Sequence, residues 1–171
     1  MSPGRWTVYL SDDILRLNVG FIIHEGIGYS RDFPFSFDEV RVAPDLDVAN
    51  LEGAVRVTRT AQGLLVQVNL SADAPAECVR CLVDFSQRLH VDYTDLYAFT
   101  RDDVTEAGLL VPETGKINLA PILREEMLLA TPIRPLCRPD CKGLCLVCGE
   151  NLNDLPHEHE ITPSDQDAPA E

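Results

Sequence analysis

Basic residues and long apolar runs are what this chain has least of. Of its 171 residues, 14 are Lys or Arg against 28 Asp or Glu, a formal net charge of −14. The deficit is steepest in residues 154–171, which hold six acids and no Lys or Arg. Without them, 22 acids face 14 bases, so the body alone carries −8. Such a body repels a phosphate backbone at long range, which argues against holding naked nucleic acid by counterion release. Contact with RNA would need a local basic patch or a partner protein. No stretch approaches the roughly 20 apolar residues of a membrane span. The opening MSPGRWTVYLSDDILRL has no apolar core of signal-peptide length, and Asp12 and Asp13 interrupt it. The expected setting is therefore cytoplasmic and away from membranes. Also missing are a Gly-rich phosphate loop, a nucleophile elbow and a paired-carboxylate signature. His24-Glu25 is a lone dipeptide. Nothing marks a small-molecule substrate.

Hydrophobic residues make up 45%, enough for one domain with a core. Residues 1–153 read as that domain and 154–171 as an acidic, disordered tail. The apolar stretch Val19–Ile27, punctuated by Gly20 and Gly26, reads as a short strand and a turn. Phe33, Phe35 and Phe37 alternate with Pro34 and Ser36, a strand signal from ordinary core aromatics. Val55 and Val57, a Gln62-Gly63 turn, and then Leu64, Val66, Val68 and Leu70 alternating with Leu65, Gln67, Asn69 and Ser71 predict an antiparallel hairpin with one polar face. A third strand follows at Leu89, Val91 and Tyr93. Residues 101–116 have loop composition. Asn118 suits a helix N-cap, Pro121 its first turn, and Leu119, Ile122, Leu123, Met127 and Ala130 keep helical spacing until Pro132 and Pro135. The fold expected is α+β: a small antiparallel sheet or partly closed barrel, one packed helix and a metal-stapled C-terminal segment.

The six cysteines fall in two groups. Cys78 and Cys81 lie in the link between the second and third strands, and Cys137, Cys141, Cys145 and Cys148 lie in CRPDCKGLCLVCGENLN. In a reducing compartment such spacing means metal or redox chemistry rather than a disulfide framework. Two cysteines separated by two residues can curl around one ion, and Gly149 after Cys148 suits that turn. Soft thiolates select zinc or an iron–sulfur cluster. Four thiols in twelve residues that also hold Pro139, Asp140, Lys142 and Gly143 have loop composition, not the composition of a buried core. His157 and His159 bring the possible ligands to eight, enough for one or two zinc ions. One pairing puts Cys78, Cys81, Cys137 and Cys141 on one ion, and Cys145, Cys148, His157 and His159 on another. The rival joins 78/81 with 145/148. Either closed site is structural. Arg80, Arg134, Arg138 and Lys142 surround the cysteines. They form either a basic face for RNA or an acidic partner, or compensation for thiolate charge.

At these residues the chain resembles the YceD family, the large ribosomal RNA subunit accumulation proteins. The carrying segments are Glu77-Cys78-Val79-Arg80-Cys81-Leu82, the run Leu123 to Leu129, Pro132-Ile133-Arg134-Pro135-Leu136-Cys137, and Cys141-Lys142-Gly143-Leu144-Cys145 to Cys148-Gly149-Glu150-Asn151-Leu152-Asn153. The resemblance spans roughly residues 15 to 160 and is loosest in the N-terminal third. Relatives often end this region with a Cys or His pair where His157 and His159 stand. It implies a non-enzymatic accessory factor in synthesis, processing or stability of large-subunit ribosomal RNA. The expected partner is an early large-subunit assembly protein or a ribosomal protein, with RNA contacted indirectly. The alternative from another class is an acidic adaptor for a basic protein; a metalloenzyme is a minor third, since thiolate-rich ligation leaves no open metal position.

Overall fold

Alternation of β-branched and small residues in the middle of the chain builds the main element. The computed structural model describes residues 14–42 and 45–154. Strands β2 (Ser30–Arg41), β3 (Asp47–Arg59), β4 (Gly63–Glu77) and β5 (Asp84–Ala98) form an antiparallel meander in that order. A short strand β1 (Arg16–Asn18) precedes them. A second short strand, β6 (Lys116–Asn118), pairs with β1, Leu17 opposite Ile117. One helical turn, α1 (Gly20–Ile23), follows β1, and the helix α2 (Ala120–Ala130) follows β6.

The inner face of the meander carries Val55, Val57, Val66, Val68, Leu70 and Val91, all buried. It is covered by Leu15, Val19 and Ile22 from the N-terminal segment and by Leu119, Leu123 and Met127 around α2. The outer face is a polar ladder. Arg56 bridges Asp32 at 2.7 Å, Asn69 donates to Asp92 at 2.9 Å, and the Ser71 hydroxyl meets the His90 ring at 3.1 Å.

The hairpin, the Phe33–Phe37 strand and the helix lie where the periodicity places them. Asn118 caps α2 from one position further out, its Oδ1 accepting from the Ala120 N–H at 3.1 Å. Thr131 is extended ahead of Pro132, which ends the helix. Two expectations need correction. The sheet is open, with β2 and β5 as its edges, and is not a barrel. Four strands are too few to close around side chains, and helix and short strands cover the apolar face instead. The stretch Val19–Ile27 is a helical turn and a loop, not a strand. So short an apolar run does not reveal its period, and α1 buries just Ile22.

The feature that positions the site is a step in the sheet. The β3–β4 ladder ends at Ala49 opposite Asp73, whereas β4 and β5 stay paired to Glu77 opposite Asp84. Beyond the step, β4 and β5 project as a two-stranded arm. Pro75 is tolerated there because β4 has a ladder partner on one side alone. The loop 78–83 closes the arm.

Candidate metal centre

The tip of the arm is a tight knuckle. The Cys78 N–H donates to the Val83 carbonyl at 3.0 Å and the Leu82 N–H to the Cys78 carbonyl at 2.9 Å. Leu82 sits at φ 58°, a left-handed conformation that leucine seldom adopts. From the other side, the end of α2 delivers residues 132–141: the Val79 N–H donates to the Pro135 carbonyl at 3.0 Å, and the Arg80 guanidinium to the Cys141 carbonyl at 2.8 Å. Gly143 lies against the same knuckle at φ 81°, and a Cβ there would come 3.1 Å from the Arg80 carbonyl.

These contacts bring together four sulfurs, of Cys78, Cys81, Cys137 and Cys141, all within 4.8 Å of one another. The Cys78–Cys141 separation is 3.7 Å and the Cys81–Cys137 separation 3.6 Å. A tetrahedron of thiolates about 2.3 Å from a zinc ion has edges of about 3.8 Å, so the donor set fits such an ion. Cys78, Cys81 and Cys141 are buried and Cys137 half-buried, with Phe85, Leu136 and Leu144 packed around them as a small core separate from that of the sheet. The apolar side chains of this shell lower the local dielectric and strengthen the field at the sulfurs.

Neighbouring dipoles divide the four thiols into two kinds. Burial pushes the Cys78 thiol up, but the backbone N–H groups of Cys137, Cys81 and Arg80 outweigh it and bring the pKa to about 6. Burial acts on Cys141 too, and the Asn153 amide and the Gly143 N–H hold it below the ordinary thiol value. Cys137 is pushed up to about 12 by burial and by the neighbouring Cys81, Cys78 and Cys141. Cys81 is also raised: the Val83 N–H lowers it, but burial and the Cys78 thiol prevail. A bound divalent ion would displace the protons held by the second pair.

Asn153 is the residue that cysteine spacing does not reveal. Its Nδ2 donates to the Cys141 sulfur at 3.3 Å, and its Oδ1 accepts from the Lys142 N–H at 2.8 Å. Asn151 orients it, accepting from the same amide at 2.7 Å. The sole sequence hint was its place in the ENLN run after Cys148. Arg134 and Lys142 point into solvent. Arg80 is spent on the Cys141 carbonyl, and Arg138 lies 3.7 Å from Asp140.

Cys145 and Cys148 lie outside the four-sulfur group, so the 78/81 with 145/148 pairing is not the one the geometry assembles. They form a second knuckle of the same kind: the Cys145 N–H donates to the Glu150 carbonyl at 2.8 Å and the Gly149 N–H to the Cys145 carbonyl at 2.9 Å, with Gly149 at φ 77°. His157 and His159 lie outside the described residues. Among those described, no helix is long and apolar enough to cross a membrane.

Residues 66–168, more than half of the chain and the whole of this module, match the family described as large ribosomal RNA subunit accumulation protein YceD. The chain is 38% identical to an uncharacterised protein of Mycobacterium tuberculosis over 119 residues, 66% of this chain and 56% of that one. Over 38 residues, 22% of this chain and 13% of the relative, it is 42% identical to a Zea mays protein named large ribosomal RNA subunit accumulation protein YCED homolog 1, chloroplastic. An uncharacterised Bacillus subtilis protein, YlbN, is 28% identical over 115 residues, 62% of this chain and 67% of that one. The chain spans about half the length of the mycobacterial relatives it matches. No solved structure matches it.

Proposed function

The chain belongs to the YceD family, and on that premise we propose that it is a cytoplasmic accessory factor, without catalysis of its own, for the synthesis, processing or stability of large-subunit ribosomal RNA. The family match carries the reading, supported by the maize relative's printed name. The metal module supplies the physical half. Cys78, Cys81, Cys137 and Cys141 hold a structural zinc that staples the helix exit to the arm of the sheet. Four thiolates fill the shell and leave no position for a substrate or an activated water. Cys145 and Cys148 take a second zinc, with His157 and His159 the ligands the sequence offers.

The charge balance shapes the mode of action. At −14 the chain does not capture naked RNA. Of the four basic residues around the centre, Arg80 and Arg138 already face a carbonyl and a carboxylate, which leaves Arg134 and Lys142 for an outside contact. The protein therefore meets the ribosomal RNA through an early large-subunit assembly protein or a ribosomal protein, which is basic where this chain is acidic. The test is depletion from growing cells with quantification of both mature RNAs. The large-subunit RNA should fall relative to the small; an unchanged ratio after complete depletion rejects the reading.

A further inference from the structure

The step in the sheet leaves a groove, and the groove has the chemistry of a docking site. It has a volume of about 480 Å³ and lies between the ends of β2 and β3 and the arm. Its floor is apolar, from Val40, Val48, Ala49, Pro75 and Phe85, and its rim acidic, from Glu39, Asp47, Asp73 and Asp84. Asp47 is paired with Arg41 at 2.7 Å, and Asp73 with Arg88 at 3.2 Å, while the Asn50 amide donates a hydrogen bond to Asp73 at 2.8 Å. The side chains of Glu39 and Asp84 make no hydrogen bond or ion pair among the described residues. Directly across the ladder from Asp84 stands Glu77, a like-charge pair neither member of which is in an ion pair among the described residues. Like charges at opposed positions weaken a sheet, so a cation delivered there is favoured.

We propose that this groove docks a basic peptide segment of a partner protein, one or two apolar side chains entering between Val48 and Phe85 while Lys or Arg residues pair with Glu39, Asp84 and Glu77. The proposal rests on the reading above, in which a basic assembly partner is expected, and it names where that partner binds. Charge selects this occupant. An RNA strand or a second copy of a chain at −14 would bring further negative charge to a negative rim. A neutral apolar ligand would strip water from carboxylates and return nothing to them. Strand addition along β4 is disfavoured because Pro75 has no N–H to offer, so the contact is made by side chains. Phe85 links the groove to the metal: it lines the groove and packs on the cysteine cluster. The zinc thereby holds one wall in place, and removing it should weaken docking without touching a rim charge.

The test is fluorescence anisotropy on the full, metal-loaded chain, with a fluorescein-labelled peptide of two leucines flanked by lysines. Binding should weaken as salt rises, and Glu39→Lys with Asp84→Lys should weaken it at least tenfold, with zinc content and circular dichroism unchanged. The control reverses two acids beyond the far end of β5, Asp102→Lys with Glu106→Lys, and should change affinity less than twofold. Ala49→Trp, which fills the groove at constant charge, should also abolish binding. Three outcomes overturn the proposal: wild-type affinity in the Glu39/Asp84 variant, an equal loss in the control, or a dimer in sedimentation that the groove variant dissolves. Expression of the Glu39/Asp84 variant in depleted cells separates the two claims. If it restores large-subunit RNA as fully as the wild type, the groove fails and the function stands. If depletion leaves the ratio unchanged, the function fails whatever the peptide does.

Discussion

The molecule makes the same knuckle twice and uses it differently. In Cys78–Val83 and in Cys145–Glu150 the first cysteine's N–H reaches the carbonyl five residues on, and the N–H four residues on returns to the first cysteine's carbonyl. The turn therefore comes from the C-x-x-C spacing and a left-handed fifth residue. What differs is the surroundings. The first knuckle closes a sheet arm, is faced by Cys137 and Cys141, and lies in its own small core. The second carries Leu146, which is fully exposed, and Val147 at its tip. A buried centre thus needs a turn and a second segment delivered opposite it. Here α2 and its proline stop make the delivery, and Asn153 fixes the result.

The comparison is broken most severely by Cys81→Ser. It should release the zinc of the four-sulfur site and lower the melting temperature by about 10 °C or more, because structural zinc contributes directly to folding. Cys148→Ser should leave the sheet folded and the melting temperature within about 3 °C, while removing at most one zinc equivalent by mass spectrometry of the native protein. Loss of all zinc from either substitution alone would mean that one metal serves both knuckles.

Asn153→Ala asks how much of the difference lies in the outer shell. Loss of a donor to a ligating sulfur should weaken zinc retention against a competing chelator by roughly 10-fold or more. Unchanged retention would reduce Asn153 to a loop contact.

Acid sharpens the picture next. The folded chain lowers the Cys78 thiol from 9.0 to about 6. Its contribution to stability is therefore complete above the unfolded value and is lost as pH falls through about 6. Zinc followed by a chromogenic chelator should leave only below that pH, because the bound ion competes with the proton for the Cys78 sulfur, and zinc uptake near neutrality should release protons, because Cys137 holds its own up to about 12.

The smallest effect comes from exchanging the fifth residues. Leu82 occupies at φ 58° the place that Gly149 fills at φ 77°. Gly149→Leu should destabilise the second knuckle by about 1 kcal/mol. Leu82→Gly should fall within about 1 kcal/mol of the wild type by chemical denaturation, since relieved strain is offset by the freedom glycine gains in the unfolded chain.

Much of this was legible in the residues. The Val55–Leu70 alternation gave the hairpin, the prolines after Ala130 gave the helix stop, and cysteine spacing gave the turns. The rest depended on information that is not local. Lys116 reads as the end of a loop and Asn118 as a helix cap until Arg16–Asn18, about a hundred residues earlier, pairs with Lys116–Asn118. Ala72, Ala74 and Ala76 continue the inner face of β4 into the arm with too little hydrophobic contrast to extend the predicted strand past Ser71. The openness of the sheet follows from what covers its apolar face, and Arg80's role follows from the segment that arrives beside it. No strand period encodes either.

The proposed zinc centre is structural and all-thiolate, formed by Cys78, Cys81, Cys137 and Cys141 alone. X-ray absorption on the Cys145→Ser, Cys148→Ser double variant tests it most directly, since that protein keeps the first site and lacks the second knuckle's thiols. That variant should hold about one zinc per chain with four sulfurs at about 2.3 Å and no nitrogen or oxygen in the shell. Iron at the site, a mixed shell, or no metal in a folded protein would contradict it.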